Sequence, residues 1–101
     1  MKEYIYIIHP LRHGFFDDPT PEENVIMDRH FAYLHQAAQA GTVLLAGPCL
    51  DDTFGLVVFR AEDDAAANAF MFNDPSVKAD VMMAELHPMR LSVTGQLTAD
   101  H

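Results

Sequence analysis

Positive charge is scarce in this chain. Six Lys plus Arg stand against fifteen Asp plus Glu, a formal net charge of −9 at pH 7. A field of that sign repels phosphate backbones and anionic lipid headgroups, so nucleic acid and membrane are set aside as partners. Cysteine is almost missing too. Cys49 is the single one and has no internal partner for a disulfide, which points to a reducing, cytoplasmic setting. No apolar run approaches the ~20 residues of a membrane-spanning helix. The opening Met1-Lys2-Glu3-Tyr4 is too polar for a signal peptide. There is no repeat, no low-complexity tract and no linker, so residues 1–101 read as one domain.

What is present is a core. Half of the residues are hydrophobic, and a domain of this size buries about 65% of its extended surface. Residues 3–9, Glu-Tyr-Ile-Tyr-Ile-Ile-His, are β-branched and aromatic and read as a strand ended by Pro10. Both of its faces are largely apolar, so both want cover. Residues 10–19 form a long loop with two adjacent phenylalanines, Phe15 and Phe16. They either pin the loop to the core or cover a site. Arg12 in that loop suits a surface ion pair or an anionic ligand.

Thr20-Pro21-Glu22-Glu23 opens a helix that runs to residue 40, with Gly41 as its stop. Thr20 is a good N-cap, Pro21 suits the first position, and Glu23 completes a capping box. Ile26, Met27, Phe31, Tyr33, Leu34, Ala37 and Ala38 recur at helical spacing. His30 shares the face of Ile26 and Leu34. A histidine there is either a satisfied core residue or one facing a cavity.

Thr42–Ala46 reads as a second strand, broken by Gly47-Pro48, and Phe54–Arg60 as a third. The connection between them is short enough to make them antiparallel. A second helix spans 63–73, with Asp63 and Asp64 in its first turn and Asn73-Asp74-Pro75 as its stop. Asp74 or Ser76 caps a further short turn over 75–80. Residues 82–94 give the last strand, with Pro88 inside it, so irregularity is expected near His87-Pro88.

The order is β-α-β-β-α-β, an α+β fold of the ferredoxin-like, split βαβ kind: a four-stranded antiparallel sheet with helices on one face. Apolar residues remain on the other face. The expected cover is a second copy, packed sheet to sheet in a homodimer.

Several stretches together resemble the YCII-related domain family, within the dimeric α/β-barrel superfamily of ferredoxin-like folds. They are His30 with Tyr33-Leu34, Ala46-Gly47-Pro48 and Asp74-Pro75. His9-Pro10-Leu11-Arg12, Pro19–Glu23 and Leu86–Arg90 are similar to one bacterial subgroup of it. The resemblance implies a dimer with a small-molecule pocket in each protomer, near the first helix and the sheet. It makes His30 and Asp74 an active-site pair, and it suggests Arg12, Tyr33, Gly47, Pro48 and His87 as substrate contacts. It also implies chemistry on cyclic or aromatic metabolites, such as lactone isomerisation or dehydrochlorination. Many members carry an arginine three residues before the histidine. Here that position is Met27, and Arg29 points elsewhere on the helix.

A His–Asp pair is acid–base machinery: the carboxylate fixes the imidazole tautomer and raises its basicity. No nucleophile stands beside it in the sequence, and Cys49 reads as a small apolar residue. The six histidines show no paired ligand spacing on one helix, so neither metal nor cofactor is expected. Two functions follow: a lyase or isomerase using His30 as base and Asp74 as its orienter, or a non-catalytic metabolite-binding or regulatory dimer.

Overall fold

The structure is a computed structural model that describes residues 1–97. Its elements are β1 (Lys2–Pro10), α1 (Pro21–Gln39), β2 (Val43–Pro48), β3 (Gly55–Ala61), α2 (Asp64–Phe72), the single turn α3 (Pro75–Lys78) and β4 (Met82–Met89). The sheet order is β2-β3-β1-β4 and every neighbouring pair is antiparallel. β1 and β2 therefore run parallel with β3 between them, which is the split βαβ arrangement of a ferredoxin-like fold.

Period-2 alternation sorts the strand residues. Tyr4, Tyr6 and Ile8 of β1 face the helices together with Val57, Phe59 and Ala61 of β3, and all six are buried. Leu34 of α1 and Ala67 and Met71 of α2 close over them in one cluster. The centre is aromatic. Phe59 meets Phe70 with ring centroids 4.8 Å apart and meets Tyr6 edge-on at 5.6 Å. Such a side chain contributes about 1.5–3 kcal/mol by burial alone. Tyrosine can serve at the core only if its hydroxyl is paired. The Tyr4 hydroxyl donates to Asp64 at 2.7 Å and the Tyr6 hydroxyl to Asp74 at 2.7 Å.

α1 begins as its sequence dictates. The Glu23 N–H donates to Thr20 Oγ1 at 3.1 Å, and the Thr20 N–H donates back to Glu23 Oε1 at 2.8 Å. The same Glu23 carboxylate takes both arms of Arg12, at 2.9 and 2.8 Å. This fork ties the loop of residues 11–18 to the start of α1. At the other end Gly41 adopts φ +83°, where a side chain would be strained.

Three strand ends that lie at or beside a proline differ from the sequence expectation, and the other element ends agree to within two residues. β1 includes Pro10, β2 continues through Gly47-Pro48, and β4 pairs with β1 in unbroken register through His87 and Pro88, then ends at Met89. β2 and β4 are the two edge strands, where the missing N–H of proline has an outer side to face. The irregularity lies elsewhere, as a register shift between Val43 and Leu45. α2 is one residue shorter at each end than expected because Asp63 and Asn73 are its caps.

The sheet face opposite the helices is bare in the protomer. It carries Ile5, Ile7, Leu45, Leu56, Met83 and Met89 among Glu3, Arg60, Glu85 and His87. Leu45 and Met83 are 42% and 51% exposed there. No helix of the described residues is long and apolar enough to cross a membrane.

Candidate active site

A cavity of about 480 Å³ opens between α1, the loop of residues 11–18 and the β2 side of the sheet. α1 gives it Met27, His30, Phe31 and Leu34; the loop gives Phe15 and Phe16; the sheet gives Ile8, Val57, Gly47 and Pro48. The two phenylalanines thus form a wall, and Phe15 is also buried in the core cluster. Among the described residues, the polar side chains on the wall are those of Asn24, His30, His35 and Cys49, with no Lys, Arg, Asp or Glu.

His30 is placed by the apolar stripe of α1 and is 4% exposed. Its Nδ1 lies 2.8 and 2.9 Å from the two carboxylate oxygens of Asp74, which is wholly buried. Asp74 is held by what it does for the backbone. It is the N-cap of α3, accepting from the Ser76 N–H at 2.9 Å. Ser76 Oγ adds a bond at 2.8 Å and the Tyr6 hydroxyl one at 2.7 Å. Capping and partnering His30 are therefore one residue's two tasks, not alternatives.

Burial alone would push the Asp74 carboxyl up. The bond and charge of His30, the Tyr6 hydroxyl and the Ser76 N–H outweigh it and hold the carboxyl below the usual aspartate range. Tyr6 is moved the other way, first by burial and then by the Asp74 charge, so its hydroxyl stays a donor. An ionised Asp74 only accepts, so His30 Nδ1 carries the proton and donates it. In the neutral ring the lone pair is then on Nε2. That atom makes no hydrogen bond to a described residue, and no buried side-chain nitrogen or oxygen among the described residues lacks a partner. Nε2 is therefore open to the cavity that His30 lines.

The structure brings His30 and Asp74 together and sets Gly47 and Pro48 on the cavity wall. Arg12, Tyr33 and His87 lie off that wall, each for a physical reason. Arg12 is spent on Glu23 and the Asp18 carbonyl. Tyr33 stacks on Phe70 at 5.1 Å and donates to the Phe70 carbonyl at 2.7 Å, on the α2 side of α1. His87 stands on the bare sheet face, 3.3 Å from Glu85. Sequence reasoning missed Tyr6 and Ser76. The signal for Tyr6 was a hydroxyl at a core position, which requires a partner; the signal for Ser76 was its place two residues after a capping aspartate. Among the described residues, no three His, Cys, Asp or Glu side chains converge into a group that could hold a metal ion.

An open antiparallel ferredoxin-like sheet whose first helix presents a carboxylate-paired histidine to an apolar cavity defines a class of small α+β domains. Within it, the chain belongs to the YCII-related domain family, whose model matches residues 6–90. No curated protein matches the sequence. Among solved structures, the chain is similar to the 5-chloro-2-hydroxyhydroquinone dehydrochlorinase of Burkholderia phenoliruptrix AC1100, described in complex with 2,5-dihydroxybenzoquinone. The TM-score is 0.61 at 22% identity, over 86% of this chain and 93% of that one. It is also similar to an uncharacterised protein of Thermotoga maritima, with a TM-score of 0.50 at 14% identity over 88% and 98% of the two chains. At these identities the likeness is one of fold.

Proposed function

We propose that this protein is a small-molecule enzyme of the lyase or isomerase type, working by acid–base chemistry on a cyclic or aromatic metabolite. One observation carries the proposal: the buried His30–Asp74 pair, 2.8 Å apart, stands at the wall of an apolar cavity of about 480 Å³. Cavities of about 300–1,000 Å³ with few, fixed polar groups are typical ligand sites. The structurally similar dehydrochlorinase has a chlorinated hydroxyhydroquinone as substrate and was described with a dihydroxybenzoquinone bound, and a single ring of that kind fits this volume.

In the proposed reaction, Nε2 of His30 takes a proton from a hydroxyl or an acidic C–H of the ring. The imidazolium that forms is stabilised by the Asp74 carboxylate, and the substrate becomes an anion. In an isomerisation the proton returns to another ring atom. In an elimination the anion expels its leaving group, and His30 passes the proton to solvent. His30 is the general base, Asp74 its orienter, and Gly47 and Pro48 form the wall against which the ring rests. Such a base contributes about 10²–10⁴-fold.

A second function has one observation in its favour. The wall holds no carboxylate or amine among the described residues to relay the proton, as a non-catalytic metabolite-binding dimer would allow. A panel of hydroxylated rings and lactones, followed by absorbance and proton NMR, separates the two. Turnover that disappears in His30→Ala supports the enzyme. A His30→Ala protein that keeps every activity of the wild type removes it, and binding that survives Asp74→Asn with no turnover anywhere selects the binding protein.

The proposed assembly is a homodimer packed through the bare sheet face, where Ile5, Ile7, Leu45, Leu56 and Met83 gather. The lone, half-buried Cys49 fits a reducing cytoplasm.

A further inference from the structure

We infer that the cavity selects uncharged, hydroxyl-bearing rings and rejects the same rings when they carry a carboxylate, with Met27 as a specificity-determining residue. The inference rests on the proposal that the cavity is a small-molecule site with His30 as its base, and it names the substrate class of that site.

Three observations lead to it. First, among the described residues the wall offers no lysine or arginine to pair with an anion. Arg12 has its guanidinium engaged by Glu23 and the Asp18 carbonyl, and Arg29, next to His30 in the chain, is exposed and off the wall. An anion entering an apolar wall loses its water and gains no counter-charge. Second, His30 does not supply that charge. Any proton gained at Nε2 makes a cation that is already matched by the Asp74 carboxylate at 2.8 Å, so the pair is net negative with the neutral ring and only neutral with the protonated one. The net charge of −9 on the chain adds a field of the wrong sign. Third, the polar atom that the buried pair presents to the cavity is an acceptor. With Nδ1–H donated to Asp74, Nε2 of the neutral imidazole presents a lone pair, which a ring hydroxyl satisfies by donating to it.

Met27 is where this selectivity is set. It lies one helical turn before His30 on α1, is half-buried, and lines the same cavity. A thioether there gives an adaptable, uncharged contact for a ring. A guanidinium there would give the site the cation it lacks.

The test compares hydroquinone with 2,5-dihydroxybenzoate, which differ by one carboxylate. Binding is read from the imidazole ¹H–¹⁵N signals of His30 in the intact protein, at a pH where the benzoate is ionised. The expected result is that hydroquinone shifts the His30 signals with at least ~10-fold higher affinity than 2,5-dihydroxybenzoate, a difference of about 1.4 kcal/mol. In Met27→Arg the order reverses, with Met27→Lys as the second variant should the first not fold. Equal or tighter binding of the benzoate by the wild type overturns the selectivity while leaving the cavity as a ring site. Failure of both rings to move the His30 signals overturns the selectivity and the ring-site proposal together. Loss of turnover in His30→Ala reports on the catalytic proposal separately.

Discussion

The hydroxyl of Tyr6 and the imidazole of His30 meet on one carboxylate, the first 2.7 Å from Asp74 Oδ2 and the second 2.8 Å from Oδ1. Tyr6 is a core residue of β1, one of the two inner strands, and His30 lines the cavity. The orientation of the site is thus anchored in the middle of the sheet rather than in a loop.

Tyr6→Phe removes that anchor while keeping the ring. The variant loses a hydrogen bond to a charged acceptor and is expected to be about 1.5–3 kcal/mol less stable by urea denaturation. The effect should also depend on pH. The Asp74 carboxyl is held low in the folded state, so its contribution is full above the ordinary aspartate value of about 3.9. It is lost as pH falls through the lower folded value. Without the Tyr6 donor the folded value rises, so acid unfolding should begin at higher pH than in the wild type. Coincident acid transitions would contradict the anchoring role.

Asp74→Ala leaves the Tyr6 hydroxyl, the Ser76 N–H and His30 Nδ1–H without their acceptor in a buried site. Each buried donor left unsatisfied costs about 1–3 kcal/mol, and the α3 cap is lost with them. Asp74→Asn keeps the shape and should cost less. On any substrate found, it should still lower kcat, because the amide neither fixes the imidazole tautomer nor stabilises the imidazolium. An Asp74→Asn protein with unchanged kcat would mean that His30 works unaided.

The Arg12–Glu23 fork holds the wall that carries Phe15 and Phe16. The Glu23 carboxyl is brought down to about 2, first by the Arg12 hydrogen bond and then by the Thr20 N–H, against an opposing effect of burial. Its contribution is therefore present above the ordinary glutamate value of about 4.3 and lost as pH falls toward 2. Glu23→Gln should flatten that stretch of the stability profile. It should also speed hydrogen exchange at the amides of residues 11–18 at neutral pH. Unchanged exchange there would show that the phenylalanines hold the loop without the fork.

The proposed dimer has a surface test. Met83 is 51% exposed on the bare sheet face, so Met83→Glu should leave the protomer folded and weaken association. Sedimentation at micromolar concentration is expected to give a dimer for the wild type and a monomer for the variant. A wild-type monomer would refute the sheet-to-sheet arrangement.

Much of the fold was legible from strand alternation, the Thr20–Glu23 capping box and the spacing of α1. Some strand ends were not: Pro48 read as a stop, although β2 is an edge strand that carries it, and the last strand, expected to run to 94 with Pro88 inside it, ends at Met89. The site was half legible. His30 stood out as a polar residue in an apolar stripe, and its pairing with Asp74 came from family resemblance. Tyr6 lies 68 residues from Asp74 in the chain, and no local pattern encodes such a contact. For Arg12 the sequence left an ion pair or an anionic ligand open, and the structure shows the ion pair; its partner, Glu23, was already credited with the capping box, yet its carboxylate serves both.

The double duty of Asp74 has a consequence for how such a domain can diverge. In the proposed reaction, catalysis and chain architecture depend on the same carboxylate, so the two cannot be separated by changing it. A lineage that gave up the proposed reaction would more readily lose His30 than Asp74, because the Tyr6 hydroxyl and the Ser76 N–H still hold the carboxylate, which is kept to cap α3 and to hold Tyr6. Descendants with the aspartate and without the histidine would be the recognisable fossils of a retired enzyme, whereas the reverse combination would seldom persist.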